Sequence, residues 1–257
     1  MSASSINLSG KKGLVIGLAN ERSLAYGVAK AAREMGAELV TTCLNDKARK
    51  YVQPLTDELG VTLLNCNVEE ENALADVVDA AVAELGRLDF VVHSIAWAPL
   101  ADLHGRIIDS SAEGFAKAMT ISCHSFAELG RLCAPHMPHG GSMITMSYIG
   151  SEQAIPNYGI MGPIKAALES TVRYMALELG GENIRVHAVS AGPIPTRASS
   201  GLPDLDGLLH LAESKAPMKR LVSLDEVSGL SAFLCTDQAS GMTGQTLFVD
   251  AGYHIAA

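Results

Sequence analysis

The chain predicts an α/β fold, a single-domain doubly wound parallel sheet of Rossmann-like type with helices on both faces. Three observations lead there. Short apolar runs alternate with helical patterns along the whole length, as repeated βα units require. The runs are apolar throughout rather than alternately polar, which suits strands covered on both faces. Glycines Gly36, Gly60 and Gly86 each close a helical pattern, a common C-terminal stop. Right-handed crossovers then give a doubly wound sheet whose ligands bind beyond the carboxyl ends of the strands.

The elements follow in order. Lys12–Gly17 reads as a strand, Ser23–Met35 as an Ala-rich helix and Glu38–Cys43 as a second strand. Asp46–Leu59 is a predicted helix, Leu63–Val68 a third strand, Glu70–Leu85 a helix and Leu88–Ser94 a fourth strand. One long helix is expected over Ala112–Cys133, then a strand over Ser142–Ser147. Ile164, Ala167, Leu168, Thr171, Val172, Met175 and Leu179 repeat at helical spacing, and Pro163 suits the first turn of that helix. A strand over Ile184–Ser190, a helix over Leu224–Leu234 and a strand over Thr246–Val249 complete the series.

Composition narrows the function classes. A 257-residue chain that is 48% hydrophobic and 18% charged has enough apolar residues for one full-sized core. A formal net charge of −9 speaks against nucleic acid or a membrane surface as partner. No apolar run approaches the roughly 18 residues of a membrane span, so no membrane insertion is expected. Met1–Leu8 lacks the basic start and apolar stretch of a signal peptide, and a cytoplasmic protein is expected. The five cysteines are spread out without a C-x-x-C pair, which points to reduced packing residues and to no metal site. No internal repeat, low-complexity segment or linker interrupts the chain.

The chemistry is expected in Ser147–Lys165. Tyr158 and Lys165 stand seven residues apart. If the intervening segment is helical, that is about two turns and puts both on one face. An ammonium beside a phenol would favour phenolate and lower the Tyr pKa from about 10. Such a Tyr can donate to an oxygen that gains negative charge. The same pair could equally be a packed ring and a solvated lysine.

The turn from Gly17 to Ala25 is not G-x-G-x-x-G. Gly17 nevertheless lets the backbone approach a pyrophosphate, and Ser23 can cap a helix whose N-terminus favours an anion. A tight βα turn with an N-cap accounts for the same residues. Leu44 at the end of the second strand could pack on an adenine, and no carboxylate marks the ribose there. The other loops at strand ends contain Asn67, Ser94 and Tyr148. Small residues Ala96 and Ala98 would let a nicotinamide and a substrate lie close to the main chain. The Ala191–Thr196 turn could offer its backbone and the Thr196 hydroxyl to a carboxamide and a phosphate.

Taken together, these residues resemble the bacterial enoyl-acyl-carrier-protein reductases, a divergent branch of the short-chain dehydrogenase/reductases. The likeness runs from about Leu8 to Ala256. It rests on Leu8–Lys11, Gly17 with Ser23–Gly27, Asn45–Lys47, His93–Ala96, Ser147–Tyr148, Ile155–Tyr158, Met161–Gly162, Lys165–Ala166, Val172–Ala176, Ser190–Ile194, Ala232–Cys235 and Val249–Asp250. The Tyr-x6-Lys spacing is its specific feature, since ordinary members of the superfamily carry Tyr-x3-Lys and here position 162 is Gly.

The resemblance implies roles. Tyr158 would hydrogen-bond the thioester oxygen, Lys165 would hold the nicotinamide ribose, and Tyr148 would flank the acyl chain. Gly17, Ser23, Leu24, Leu44, Asn67, Val68, Ser94, Ile95, Ile194 and Thr196 would contact the dinucleotide, and Ala98 the substrate. NADH is expected in preference to NADPH, with enoyl-acyl-carrier-protein as substrate and a homotetramer as the assembly. A mobile loop around 193–211 would cover the acyl chain. Two departures stand out. Leu44 and Asn67 replace a Gln and an Asp common in the family, and the loop helix carries Asp204 and Asp206 where basic residues are usual. The nearest cations for a carrier protein are Arg197, Lys215, Lys219 and Arg220. A carbonyl or 3-oxoacyl reductase of the same fold and a non-catalytic NAD(H) sensor are the alternative functions.

Overall fold

The structure, a computed structural model, describes residues 6–256; the N-terminal reading of residues 1–5 lies outside them. The strands are β1 (Lys12–Leu18), β2 (Glu38–Cys43), β3 (Thr62–Asn65), β4 (Phe90–His93), β5 (Gly141–Ser147), β6 (Ile184–Ala191) and β7 (Gln245–Val249). The helices are α1 (Leu24–Glu34), α2 (Asp46–Leu59), α3 (Ala73–Leu85), α4 (Leu100–His104), α5 (Ala112–Met119), α6 (Ser125–Cys133), α7 (Met161–Leu179), α8 (Leu205–Lys215), α9 (Leu224–Leu234) and α10 (Tyr253–Ala256).

All strand pairs are parallel, in the order β3-β2-β1-β4-β5-β6-β7. The chain winds out to β3, then crosses back to place β4 against the other side of β1. That reversal opens a crevice between the carboxyl ends of β1 and β4.

Side chains on successive strand residues alternate between two cores. On one face Val15, Leu18, Val92, Ile144 and Val189 meet Val28, Ala29 and Ala32 of α1 and Val227 of α9. On the other Leu14, Ile16, Val91, Met143 and Val186 meet Val77 and Val78 of α3, Phe126 and Leu129 of α6, and Leu168 and Val172 of α7. This is why the strand sequences are continuously apolar.

Four expectations change. The third strand stops at Asn65, because Asn67 turns its side chain to the Glu69 N–H and the Glu70 carboxylate in place of ladder bonds. The following helix starts at Ala73, since Asn72 before it is left-handed (φ 62°). Thr120–His124 is a π-helical turn between α5 and α6 rather than part of one long α-helix. The short helix α4 was not expected from the pattern.

Two buried histidines make the fold sensitive to acid. His93 bonds Thr145 Oγ1 through Nδ1 at 3.0 Å and Ser125 Oγ through Nε2 at 2.9 Å. Burial, helped by the Lys165 charge, pushes its pKa down from 6.5 to about 3. Burial and then the Arg185 charge push His187 down to about 4. The unfolded chain takes up these protons first, so the contribution of each histidine is whole above about pH 6.5 and shrinks as the pH falls. Urea titrations between pH 6 and 5 should show a loss of up to about 1.4 kcal/mol per pH unit per histidine. His93→Gln should flatten that slope; an unchanged slope would show that other groups cause the acid loss.

Candidate active site

The site is built from the carboxyl ends of the strands. At the end of β1 the pairing register with β2 shifts between Ile16 and Leu18. Gly17 sits at that bulge with φ 105°, and its N–H donates to Thr42 Oγ1 at 3.2 Å. A Cβ there would lie 2.4 Å from the Ser94 carbonyl oxygen, so only glycine lets the β1 and β4 ends approach this closely. Ile95 Cγ1 lies 3.4 Å from the same point. Gly17, Ser94 and Ile95 thus meet at the switch point. Ser23 caps α1 by accepting from Tyr26 N–H, while its own proton goes to the Asn20 carbonyl at 2.7 Å. The N-terminus of α1 follows this turn at the carboxyl end of β1, and a helix start at that place favours an anion such as a pyrophosphate.

The outlying residues lie at neighbouring strand ends. Leu44 follows β2 and is exposed. Asn67 and Val68 follow β3, with Asn67 engaged on Glu70 at 3.2 Å. Leu24 and Ile194 pack against one core, and Val68, Ile95 and the buried Ala98 belong to the other. Thr196 is locked to Ser199: each backbone N–H donates to the other's hydroxyl, at 2.8 and 3.1 Å. The Ser94–Pro99 loop is pinned at Trp97, whose N–H and C=O both bond Ser122 Oγ at 2.8 and 2.9 Å. Ser122 comes from the π-helical turn, and such turns often mark functional sites.

Tyr158 and Lys165 are not joined by two helical turns. Tyr158 precedes α7 in a loop and is flanked by left-handed Asn157 (φ 63°) and Gly159 (φ 53°). A Cβ on Gly159 would lie 2.5 Å from the Leu103 carbonyl oxygen, so α4 presses this loop into place. The Tyr158 ring meets the Tyr148 ring edge-on, centroids 4.8 Å apart at 62°. The Tyr148 hydroxyl is buried and has no hydrogen-bond partner among the described residues. Lys165 is in the first turns of α7, 5% exposed, and its Nζ donates to the Met146 carbonyl at 2.7 Å.

The electrostatics correct a second expectation. The Tyr158 phenol is pushed up, not down: burial dominates, and Tyr148 and Glu169 act the same way. Tyr148 is raised too, by burial and then by Tyr253 and Asp250. Lys165 is pushed down to about 8 by burial, against the opposing pull of the Glu169 carboxylate. The site therefore holds two packed neutral phenols, and a buried ammonium anchored two residues before Tyr148. A neutral phenol of high pKa keeps its proton and donates it in a hydrogen bond, as an oxyanion requires.

Three neighbours were not foreseen as site residues: Ser122, Ser199 and Glu169. The first two are ordinary small polar residues in sequence. Glu169 carries a readable signal, because it falls on the apolar face of α7 one turn beyond Lys165, where a carboxylate is out of pattern.

Comparison with known proteins identifies the family. The family described as "Enoyl-(Acyl carrier protein) reductase" matches residues 17–254. An NADH-dependent enoyl-acyl-carrier-protein reductase of Rhizobium meliloti strain 1021 is 44% identical, covering 96% of this chain and 91% of the relative. The enoyl-acyl-carrier-protein reductase of Anaplasma phagocytophilum, solved with NAD, has a TM-score of 0.92 and 42% identity over 96% of this chain and 95% of that one. The Bacillus cereus enzyme, solved with NADP+ and an indole naphthyridinone, has a TM-score of 0.94 and 38% identity over 97% and 98%. The chain belongs to the enoyl-acyl-carrier-protein reductase family.

Proposed function

We propose that the protein reduces the 2,3 double bond of a trans-2-enoyl thioester carried on acyl carrier protein, with NADH as reductant, in fatty-acid synthesis. The observation that carries this reading is the neutral Tyr158 phenol packed on Tyr148 just beyond β5, the strand whose Met146 carbonyl receives the buried Lys165. When bound, the dihydronicotinamide supplies hydride to the β carbon. Tyr158 donates a hydrogen bond to the thioester oxygen as it becomes an enolate, and the α carbon then takes a proton. Lys165 holds the nicotinamide ribose, Tyr148 lines the acyl side, and Ala98 leaves room for the substrate. The bare backbone at Gly17 and the N-terminus of α1 receive the pyrophosphate. Leu44, Asn67 and Val68 border the adenosine, and Ser94, Ile95, Ile194 and Thr196 border the nicotinamide half.

Tyr158→Phe should leave NADH binding nearly intact and lower kcat by about 10²–10³-fold, the worth of one oxyanion donor. Lys165→Ala should weaken NADH binding instead. Stopped-flow turnover and equilibrium titration with NADH separate the two effects. The reverse pattern would overturn the assignment, turnover of a 3-oxoacyl but not an enoyl thioester would favour the carbonyl-reductase alternative, and binding without any turnover the sensor.

NADH is the favoured cofactor. Leu44 offers no charge to a 2′-phosphate, and Arg49 is drawn to Asn65 Oδ1 at 3.1 Å and Gln53 Oε1 at 3.0 Å. Steady-state comparison should give the higher kcat/KM with NADH; a preference for NADPH would assign discrimination to Lys47 or Arg49.

The segment around 193–211 is proposed as the acyl-covering lid. Ala212 is the one buried residue of α8, and His104 Nε2 reaches across to the Gly201 carbonyl at 2.8 Å. Sparse anchoring favours local opening. Hydrogen exchange should show 197–209 poorly protected alone and protected with cofactor and an acyl analogue; equal protection would sink the lid.

For the carrier, Arg220 is a poor candidate, since its guanidinium grips Glu226 at 2.6 and 2.8 Å. Arg197, Lys215 and Lys219 remain the exposed cations beside the lid. A homotetramer is proposed as the working assembly. Exposed Tyr174 and Leu177 on α7 and the half-buried Leu247 and Phe248 of β7 offer apolar faces for it. Among the described residues no helix is long and apolar enough to cross a membrane, and a cytoplasmic location is proposed.

A further inference from the structure

Glu169 is a buried carboxylate that the reaction as described leaves without a task. It is 4% exposed, and a carboxylate taken out of water needs compensation. Its compensation comes from two directions. Oε1 accepts the hydroxyl proton of Ser147, the last residue of β5. Its charge also acts on Lys165, which lies one turn earlier on α7 and donates to the carbonyl of Met146, the residue before Ser147. Consecutive residues of β5 are thus tied to residues 165 and 169 of α7. The next residue after this double tie is Tyr148, whose ring packs on Tyr158.

The geometry points to Glu169 as a positioning residue of the reaction: its carboxylate, braced by the Ser147 hydroxyl, holds the end of β5 whose Met146 carbonyl seats Lys165 and whose next residue is Tyr148. The Glu169 charge also favours the Lys165 ammonium. This rests on the proposed cofactor role of Lys165. The other groups facing Lys165 do not substitute for Glu169. His93 on β4 stays neutral and its environment opposes a second positive charge. Cys123 on the π-helical turn acts in the same sense as Glu169 but ranks below it.

The test is NADH affinity as a function of pH, read by quenching of Trp97, the only tryptophan of the chain. In the unaltered protein the affinity should fall as the pH rises through about 8, where Lys165 loses its proton. Glu169→Gln keeps the shape and removes the charge. It should move that alkaline fall down by about one pH unit or more, with the melting temperature little changed, and Glu169→Asp should recover part of the shift. A purely structural role would lower stability and leave the fall where it was. A folded Glu169→Gln whose profile superimposes on the unaltered one overturns the inference. Should that variant not fold, Ser147→Ala decides, since it keeps the carboxylate and removes its brace. A raised KM for NADH at unchanged melting temperature supports the inference, and unaltered kinetics at every pH overturns it. Absence of NADH binding by the unaltered protein would overturn the cofactor role of Lys165 itself, a different result from a coincident profile.

Discussion

A fully parallel sheet must be covered on both faces, and that single requirement organises the molecule. Every strand connection has to cross a face, so the helices α1 and α9 fill one side and α3, α6 and α7 the other. All carboxyl ends then point to one edge. Once the order reverses between β1 and β4, the chain leaving β1 turns to one face and the chain leaving β4 to the other, which opens a crevice between the two connections. Gly17 shows how tight the construction is, because the Ser94 carbonyl occupies the space a side chain would need.

The same covering sets the electrostatics of the site. Lys165 and His93 are nearly inaccessible to water, and desolvation outweighs pairwise charge for both, as it does for Tyr148 and Tyr158. It pushes the His93 imidazole and the Lys165 ammonium down and both tyrosines up. A reductase that reacts through an oxyanion gains from this. Donors that keep their protons do not have to be recharged between turnovers, and a water-poor cavity strengthens each hydrogen bond they make.

The segment proposed as a lid and the residues proposed for the hydride site differ in the way they are held. Tyr148, Tyr158 and Lys165 are tied to the central strands, through ring packing and the Met146 carbonyl. Thr196 to Leu209 is held by local turns, such as the Thr196–Ser199 pair, and by one bond to His104. Under the proposed function, firmly held reacting groups beside a loosely anchored cover would let an acyl chain enter and leave without disturbing them.

Sequence periodicity determined the order of the seven strands' segments, the α/β class and the Leu224–Leu234 helix to the residue, and particular motifs such as Tyr158-x6-Lys165 carried the family resemblance. These depend on local side-chain patterns, which the chain displays without folding. The tertiary structure decided the rest. The Tyr158 loop is shaped by two left-handed residues and by α4 pressing on Gly159, none of which the spacing of Tyr158 and Lys165 could express. The π-helical turn at Thr120–His124 interrupts a pattern that reads as one helix, and supplies Ser122 to a loop distant in sequence. The protonation of Tyr158 was read with the wrong sign because a nearby lysine is visible in sequence and burial is not. Desolvation is the sum of many non-local contacts, and it exists only after the two faces of the sheet have closed over these residues.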